Sequence, residues 1–290
     1  MISNGQMVGM ILAIVVPIMI GIVVFLHIKK ELKVKGLFFT ACYGAVGYLW
    51  EAWIYAMAYN WLSAWMIQDS WFLTGIGDVV RQFLVALLYA VFAAGGLYWA
   101  VFLANMRESD TRRGTTVGLG FGICYTIWNY ILVYGAPIVY GFQMKFGVFG
   151  ESEEIKQKVL GLPVENMYLF ALDTVLFTLI LIGTTLVMGY YHQHGRKGRM
   201  FIVVFVSQFF IKFFNTLFPT LMPDLASTVL YHFLMSMLAI YSMWILLTYL
   251  KTGKVFIKKD KELPLGDKKT TDKTDSTANF TYAGNKKKIK

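Results

Sequence analysis

Charge is what this sequence has least of. Asp, Glu, Lys and Arg make up 15% of its 290 residues, against 57% hydrophobic, whereas a soluble domain carries roughly a quarter charged residues. The shortage excludes an ordinary water-soluble fold. Cysteine is almost as rare, with Cys42 and Cys124 alone, which excludes a disulfide framework or a cysteine metal cluster. Both lie in apolar runs and read as small core side chains. The N-terminus, Met1-Ile-Ser-Asn-Gly-Gln, lacks the basic start of a secretory signal, and no small-residue cleavage site follows the first apolar run. That run is therefore expected to stay as an anchor. No internal repeat is evident, which speaks against an inverted-repeat transporter.

What is present is a series of apolar runs about twenty residues long, enough to cross a hydrocarbon core of roughly 30 Å. Spans are expected at about 7–28, 36–58, 82–105, 115–136, 166–189, 200–218 and 227–250. Lys29, Lys30, Lys33 and Lys35 follow the first, and Arg107, Arg112 and Arg113 the third. Arg196, Lys197 and Arg199 follow the fifth, and Lys251 the seventh. The alternate loops are poor in Lys and Arg, among them the Trp-rich stretch 59–71. The positive-inside rule then gives an all-α integral membrane bundle of about seven helices, N-terminus outside and C-terminus cytoplasmic. In the loop 138–165, acids Glu151, Glu153 and Glu154 precede Lys156 and Lys158, which predicts a short surface helix.

The net charge of +10 is concentrated at one end. Residues 251–290 hold twelve lysines and five acids, a net +7, leaving +3 for the membrane domain 1–250. A basic tail poor in aliphatic residues is expected to be disordered. Because it follows a span, its expected partner is anionic lipid headgroup, through Lys286, Lys287, Lys288 and Lys290 in particular. Nucleic acid is not an expected partner.

Ionisable and amide side chains within spans are costly and generally face the bundle interior. Glu51, Asn129, Asp173 and Lys212 each fall six or seven residues inside the outer end of an expected span, and His232 five inside. At 1.5 Å per residue they share one depth. Asn215, one turn from Lys212, joins them. Such a layer is either a set of structural pairs fixing helix register or a ligand pocket reachable from outside. One lysine against two acids leaves a surplus carboxylate to be protonated, hydrated or matched by a ligand.

Other features take plainer explanations. His192 and His194 sit among cations in a turn and lack a third metal ligand, so a solvated loop is expected. Gly118 and Gly122, and the small residues from Ala93 to Gly96, are expected to allow close helix packing. No metal site and no cofactor follow from these residues.

The order of features resembles the YhfC-type intramembrane metalloproteases, relatives of the CAAX-protease and bacteriocin-immunity membrane proteins. The opening residues, Pro17 in mid-span and the Lys-rich turn carry the likeness, as do the later small-residue run, basic turn and Gly-x-Gly-x-Gly helix start, over about residues 1–250. The family's Glu-Glu-x-x-Arg pattern falls on a stretch where Tyr98, Trp99 and Phe102 stand instead. Its Gly-His-Gly-x-x-Glu falls on Gly120 to Tyr125, with Phe121 for the histidine and Tyr125 for the glutamate. Asp173 stands where a later histidine is expected, and the last motif, near 208–215, holds no histidine. Aromatic rings neither bind zinc nor take a proton from water. The resemblance thus implies a pseudoenzyme of the bacterial plasma membrane, with scaffold kept and metal chemistry lost, binding a membrane protein, peptide or lipid through the outer polar layer. An active intramembrane peptidase and a transporter using the buried carboxylates are the alternatives.

Overall fold

The computed structural model describes residues 3–32, 36–106, 110–146, 161, 163–222 and 224–255. The chain divides into units Met1–Lys258 and Lys259–Lys290, and the described residues all belong to the first. The expected surface helix around 151–158 and nearly all of the basic tail lie outside them, as do Lys33, Lys35 and Arg107.

Seven helices carry the described residues: α1 (Asn4–Leu32), α2 (Leu37–Ile67), α3 (Gly75–Ala104), α4 (Thr111–Phe146), α5 (Val164–Gln193), α6 (Lys197–Leu221) and α7 (Asp224–Thr252). A single 3-10 turn, Ser70–Leu73, joins α2 to α3. No strand occurs among the described residues. Six helices, all but α2, are long and apolar enough to cross a membrane. α2 has the length, but its tyrosines, tryptophans, glycines and Glu51 hold its hydropathy below that of the others.

The helices outrun the expected spans, and the stretch 59–71 is a correction. It was expected to be a loop, yet α2 continues to Ile67. From Tyr48 to Ile67 the sequence contains neither Gly nor Pro, and alternating aromatic and alanine residues give the backbone no reason to stop. α4 likewise runs ten residues past Ala136, carrying Pro137 inside it. The helix ends are therefore not flush. Sixteen residues separate Glu51 from the end of α2 at Ile67, but nine separate Lys212 from the end of α6 at Leu221.

α5 forms the centre. Of its most apolar stretch 72% is buried within the protein, compared with 22% for α6 and 28% for α1 and α7. α4 makes its most extensive contact with α5, then with α2. Small residues allow this: Gly114, Gly118 and Gly122, four residues apart, lie against Thr185, Leu181 and Thr178 of α5. On another face of α4, Gly120 meets the Ala41 carbonyl of α2, and Gly44 of α2 meets the Val117 carbonyl of α4. The backbones approach so closely that a β-carbon at Gly44 would overlap that carbonyl. The expected pair Gly118 and Gly122 is thus part of a longer packing face.

Hydroxyl groups stitch the remaining elements together. Tyr130 of α4 donates to the Met10 carbonyl of α1 at 2.6 Å, and Thr111 donates to Gln193 Oε1 at 2.5 Å. Thr40 and Thr116 hydroxyls meet between α2 and α4, while Thr40 Oγ1 also donates to the Leu37 carbonyl at 2.7 Å. α3 packs between α2 and α6, so the order of contacts runs α1–α4–α2–α3–α6 around α5, with α7 on the α5–α6 side.

Candidate functional site

Six of the helices converge on one cavity of about 340 Å³. Each contributes a polar residue: Glu51 from α2, Tyr89 from α3, Asn129 from α4, Asp173 from α5, and Lys212 with Asn215 from α6; Tyr231 enters from α7. All but one of the residues expected to form a polar layer therefore line a single space. His232 is the exception, lining a second cavity of about 210 Å³. Asp173, Asn215 and Tyr231 border both.

Helical register explains the α2 wall. Tyr48, Glu51, Ala52, Tyr55, Ala56 and Tyr59 recur at spacings of three and four and so share one face, and all six line the cavity. Tyr55 meets Tyr89 edge to face, ring centroids 5.3 Å apart. Tyr48 meets Phe121 and Tyr125 in the same manner, at 5.2 and 5.7 Å. Asn129 Nδ2 donates to Tyr48 Oη at 3.1 Å and to the Tyr125 backbone carbonyl at 2.9 Å, which holds the Tyr48 hydroxyl in place. The stripe of tyrosines at spacings of three and four on α2 is a signal present in the sequence that the expected polar layer did not include.

Glu51 is 1% exposed, one turn beyond the point where Gly47 and the Gly96 backbone of α3 touch. Its Oε2 has no hydrogen-bond partner in the protein. Lys212 lies across the cavity with its ammonium over the Tyr89 ring, 5.4 Å from the centroid, a cation–π placement. The expectation that Glu51 or Asp173 pairs with Lys212 is not met: among the described residues no carboxylate lies within 4.0 Å of its ammonium.

Asp173 is instead engaged by His232, whose Nε2 stands 3.0 Å from Oδ1. His232 Nδ1 lies 2.7 Å from the Thr228 carbonyl. A carbonyl only accepts, so Nδ1 carries a hydrogen, and the Nε2 side of the ring is the one that faces the carboxylate. Asp173 therefore has His232 as its neighbour in place of the expected Lys212.

The family-motif positions do not gather in one place. Phe121 is fully buried behind Tyr48, and Tyr98 packs partly buried on the same core. Trp99 faces outward, 41% exposed, beside Trp50. Phe102 is near the turn between α5 and α6, 6.1 Å from the His192 ring and 5.9 Å from Lys197 Nζ. Only Tyr125 and Asp173 reach the cavity. Among the described residues no three His, Cys, Asp or Glu side chains are grouped to hold a metal. His194 Nδ1 lies 2.8 Å from the Tyr190 carbonyl within its own helix end.

Comparison with known proteins gives no match, either to a family model, to a curated protein or to a solved structure.

Proposed function

We propose that this chain is a seven-span membrane protein, N-terminus outside, that binds a ligand in the α2–α7 cavity without doing chemistry on it. The observation that carries the proposal is the convergence of Glu51, Asn129, Asp173, Lys212 and Asn215 on one cavity walled by tyrosines. Cavities of several hundred Å³ with apolar walls and a few fixed polar groups are the usual form of a small-ligand site. A purely structural layer would pair its opposite charges, and Glu51 and Lys212 are not paired.

The non-catalytic part rests on the residues present. Hydrolysis of a peptide needs a nucleophile or activated water with a base near it. Asp173 and His232 supply a base and its orienting partner, but no Ser, Cys or Thr lines either cavity beside them except Ser227 and Thr228. Those two hydroxyl-bearing residues belong to the first turns of α7, and Ser227 donates to the Asp224 carbonyl at 2.9 Å. The likeness to YhfC-type proteases enters as a proposed origin of the scaffold, with aromatic residues where that family keeps its polar ones. The proposed setting is the bacterial plasma membrane, with a peptide, lipid or membrane protein as the class of partner and anionic headgroups at the basic tail.

A second reading is favoured by one observation: the His232–Asp173 contact forms part of the wall between two cavities. A group able to pass one proton at such a place suits a proton-linked carrier.

Native mass spectrometry of protein extracted in mild detergent tests the main reading. A bound mass is expected on the wild type and its loss on Ala52→Trp, which fills the cavity. Stoichiometric zinc together with chelator-sensitive peptidase activity would overturn it.

A further inference from the structure

The two opposite charges of the cavity, which are not in contact with each other, specify its ligand more closely. Glu51 has a buried oxygen with no protein partner, and Tyr48, Tyr55 and Tyr89 line the same cavity, a setting that favours an ammonium group. Lys212 has a ring beneath its ammonium but no carboxylate in contact, with Asn215 one turn further along α6 as a second donor. A ligand bearing one charge would satisfy one end and leave the other buried without a partner, which costs more than the single contact returns. Asp173, by contrast, has His232 beside it at 3.0 Å.

We propose that the cavity binds a zwitterion of the amino-acid or short-peptide class, its ammonium at Glu51 and its carboxylate at Lys212 and Asn215. This rests on the ligand-binding reading above and names the ligand for it. Ala52, Leu132, Phe177, Ile211 and Met235 also line the cavity, which suits an apolar side chain on the ligand. The gap wider than 4.0 Å between Glu51 and Lys212 is bridged by a molecule carrying both charges on one short frame.

Calorimetric titration of the full chain in lipid nanodiscs tests the assignment. The probes are leucine, phenylalanine and leucyl-leucine, each with its N-acetyl and its amide derivative. The zwitterions are expected to bind, and each derivative, lacking one charge, to bind at least about tenfold more weakly. Glu51→Gln should erase the penalty against the N-acetyl form and Lys212→Met the penalty against the amide. The derivatives on wild-type protein give the answer even where a variant fails to fold. Equal binding of zwitterion and derivatives would overturn the zwitterion while leaving the cavity reading intact, provided Ala52→Trp abolishes it. Binding untouched by Ala52→Trp would overturn both. No binding by any probe, or a bound ethanolamine phospholipid that free amino acids fail to displace, would overturn the zwitterion alone.

Discussion

His232 Nε2 faces Asp173 Oδ1 at 3.0 Å in the wall between two cavities. The Thr228 carbonyl, 2.7 Å from Nδ1, accepts a hydrogen from that nitrogen and turns the other side of the ring toward the carboxylate. Asp173 is thereby placed beside His232 and not beside Lys212, which leaves Glu51 and Lys212 as the opposite charges of the larger cavity. The pairing therefore decides how the rest of the site is read.

The two residues are expected to be energetically coupled. His232→Ala and Asp173→Asn each remove one half of the contact. A double-mutant cycle on thermal unfolding in detergent should show a coupling of about 1–2 kcal/mol. Additive effects would mean that the contact carries no energy. A ¹⁵N-histidine spectrum should in addition show Nδ1 protonated in the wild type.

Helix α2 brings more of the site than any other helix, yet among the described residues it is the long helix whose hydropathy falls short of the others. If it crosses the membrane, residues at its two ends face opposite compartments. In a background of Cys42→Ala and Cys124→Ala, a cysteine at Ser70 is expected to react with an impermeant maleimide added to intact cells. Cysteines at Glu31 and Gly198 should react only after permeabilisation. Labelling of Glu31 and Ser70 positions from the same side would remove α2 from the spans and with it the seven-span topology.

The α2–α4 crossing depends on a missing side chain. Gly44→Leu places carbon against the Val117 carbonyl and should cost on the order of 3 kcal/mol or prevent folding. Gly198 has open space around it, so Gly198→Ala should be neutral or stabilising by up to about 1 kcal/mol. Detergent gel filtration and melting temperature separate the two outcomes.

Gln208 is completely buried, and both ends of its amide lack a protein partner. Gln208→Leu is expected to raise stability by about 1 kcal/mol, since an apolar group of similar volume needs no hydrogen bond there. A drop of comparable size in the same melt would show that the amide is satisfied by a bound molecule.

Much of the architecture was readable because apolar length is a strong signal. Five expected spans lie within one helix each and the other two, 36–58 and 82–105, overrun theirs by one residue, and the order of polar residues along them pointed to Glu51, Asn129, Asp173 and Lys212 as neighbours. The ends were not readable: Trp and Tyr lower the hydropathy of α2 beyond Ala58 without weakening its helix, so the span appeared shorter than the helix. Counting depth from those ends gave a flat layer, whereas the residues meet despite helices that end at unequal distances. The tyrosine cage around Glu51 was present as a spacing of three and four from Tyr48 to Tyr59, masked by the habit of tyrosine to mark interfaces. The pairing of His232 with Asp173 over Lys212 was beyond composition, because it is set by how α5 and α7 face each other.

The central claim is that α2 and α6 form opposite walls of one accessible space. The most direct measurement is the rate at which a cysteine at Asn215 reacts with a small charged thiosulfonate, with the native cysteines removed. Adding Ala52→Trp, on the opposite wall, is predicted to slow that reaction steeply while the protein stays folded. An unchanged rate would show that the two positions do not share a cavity, and the ligand-binding account would fail.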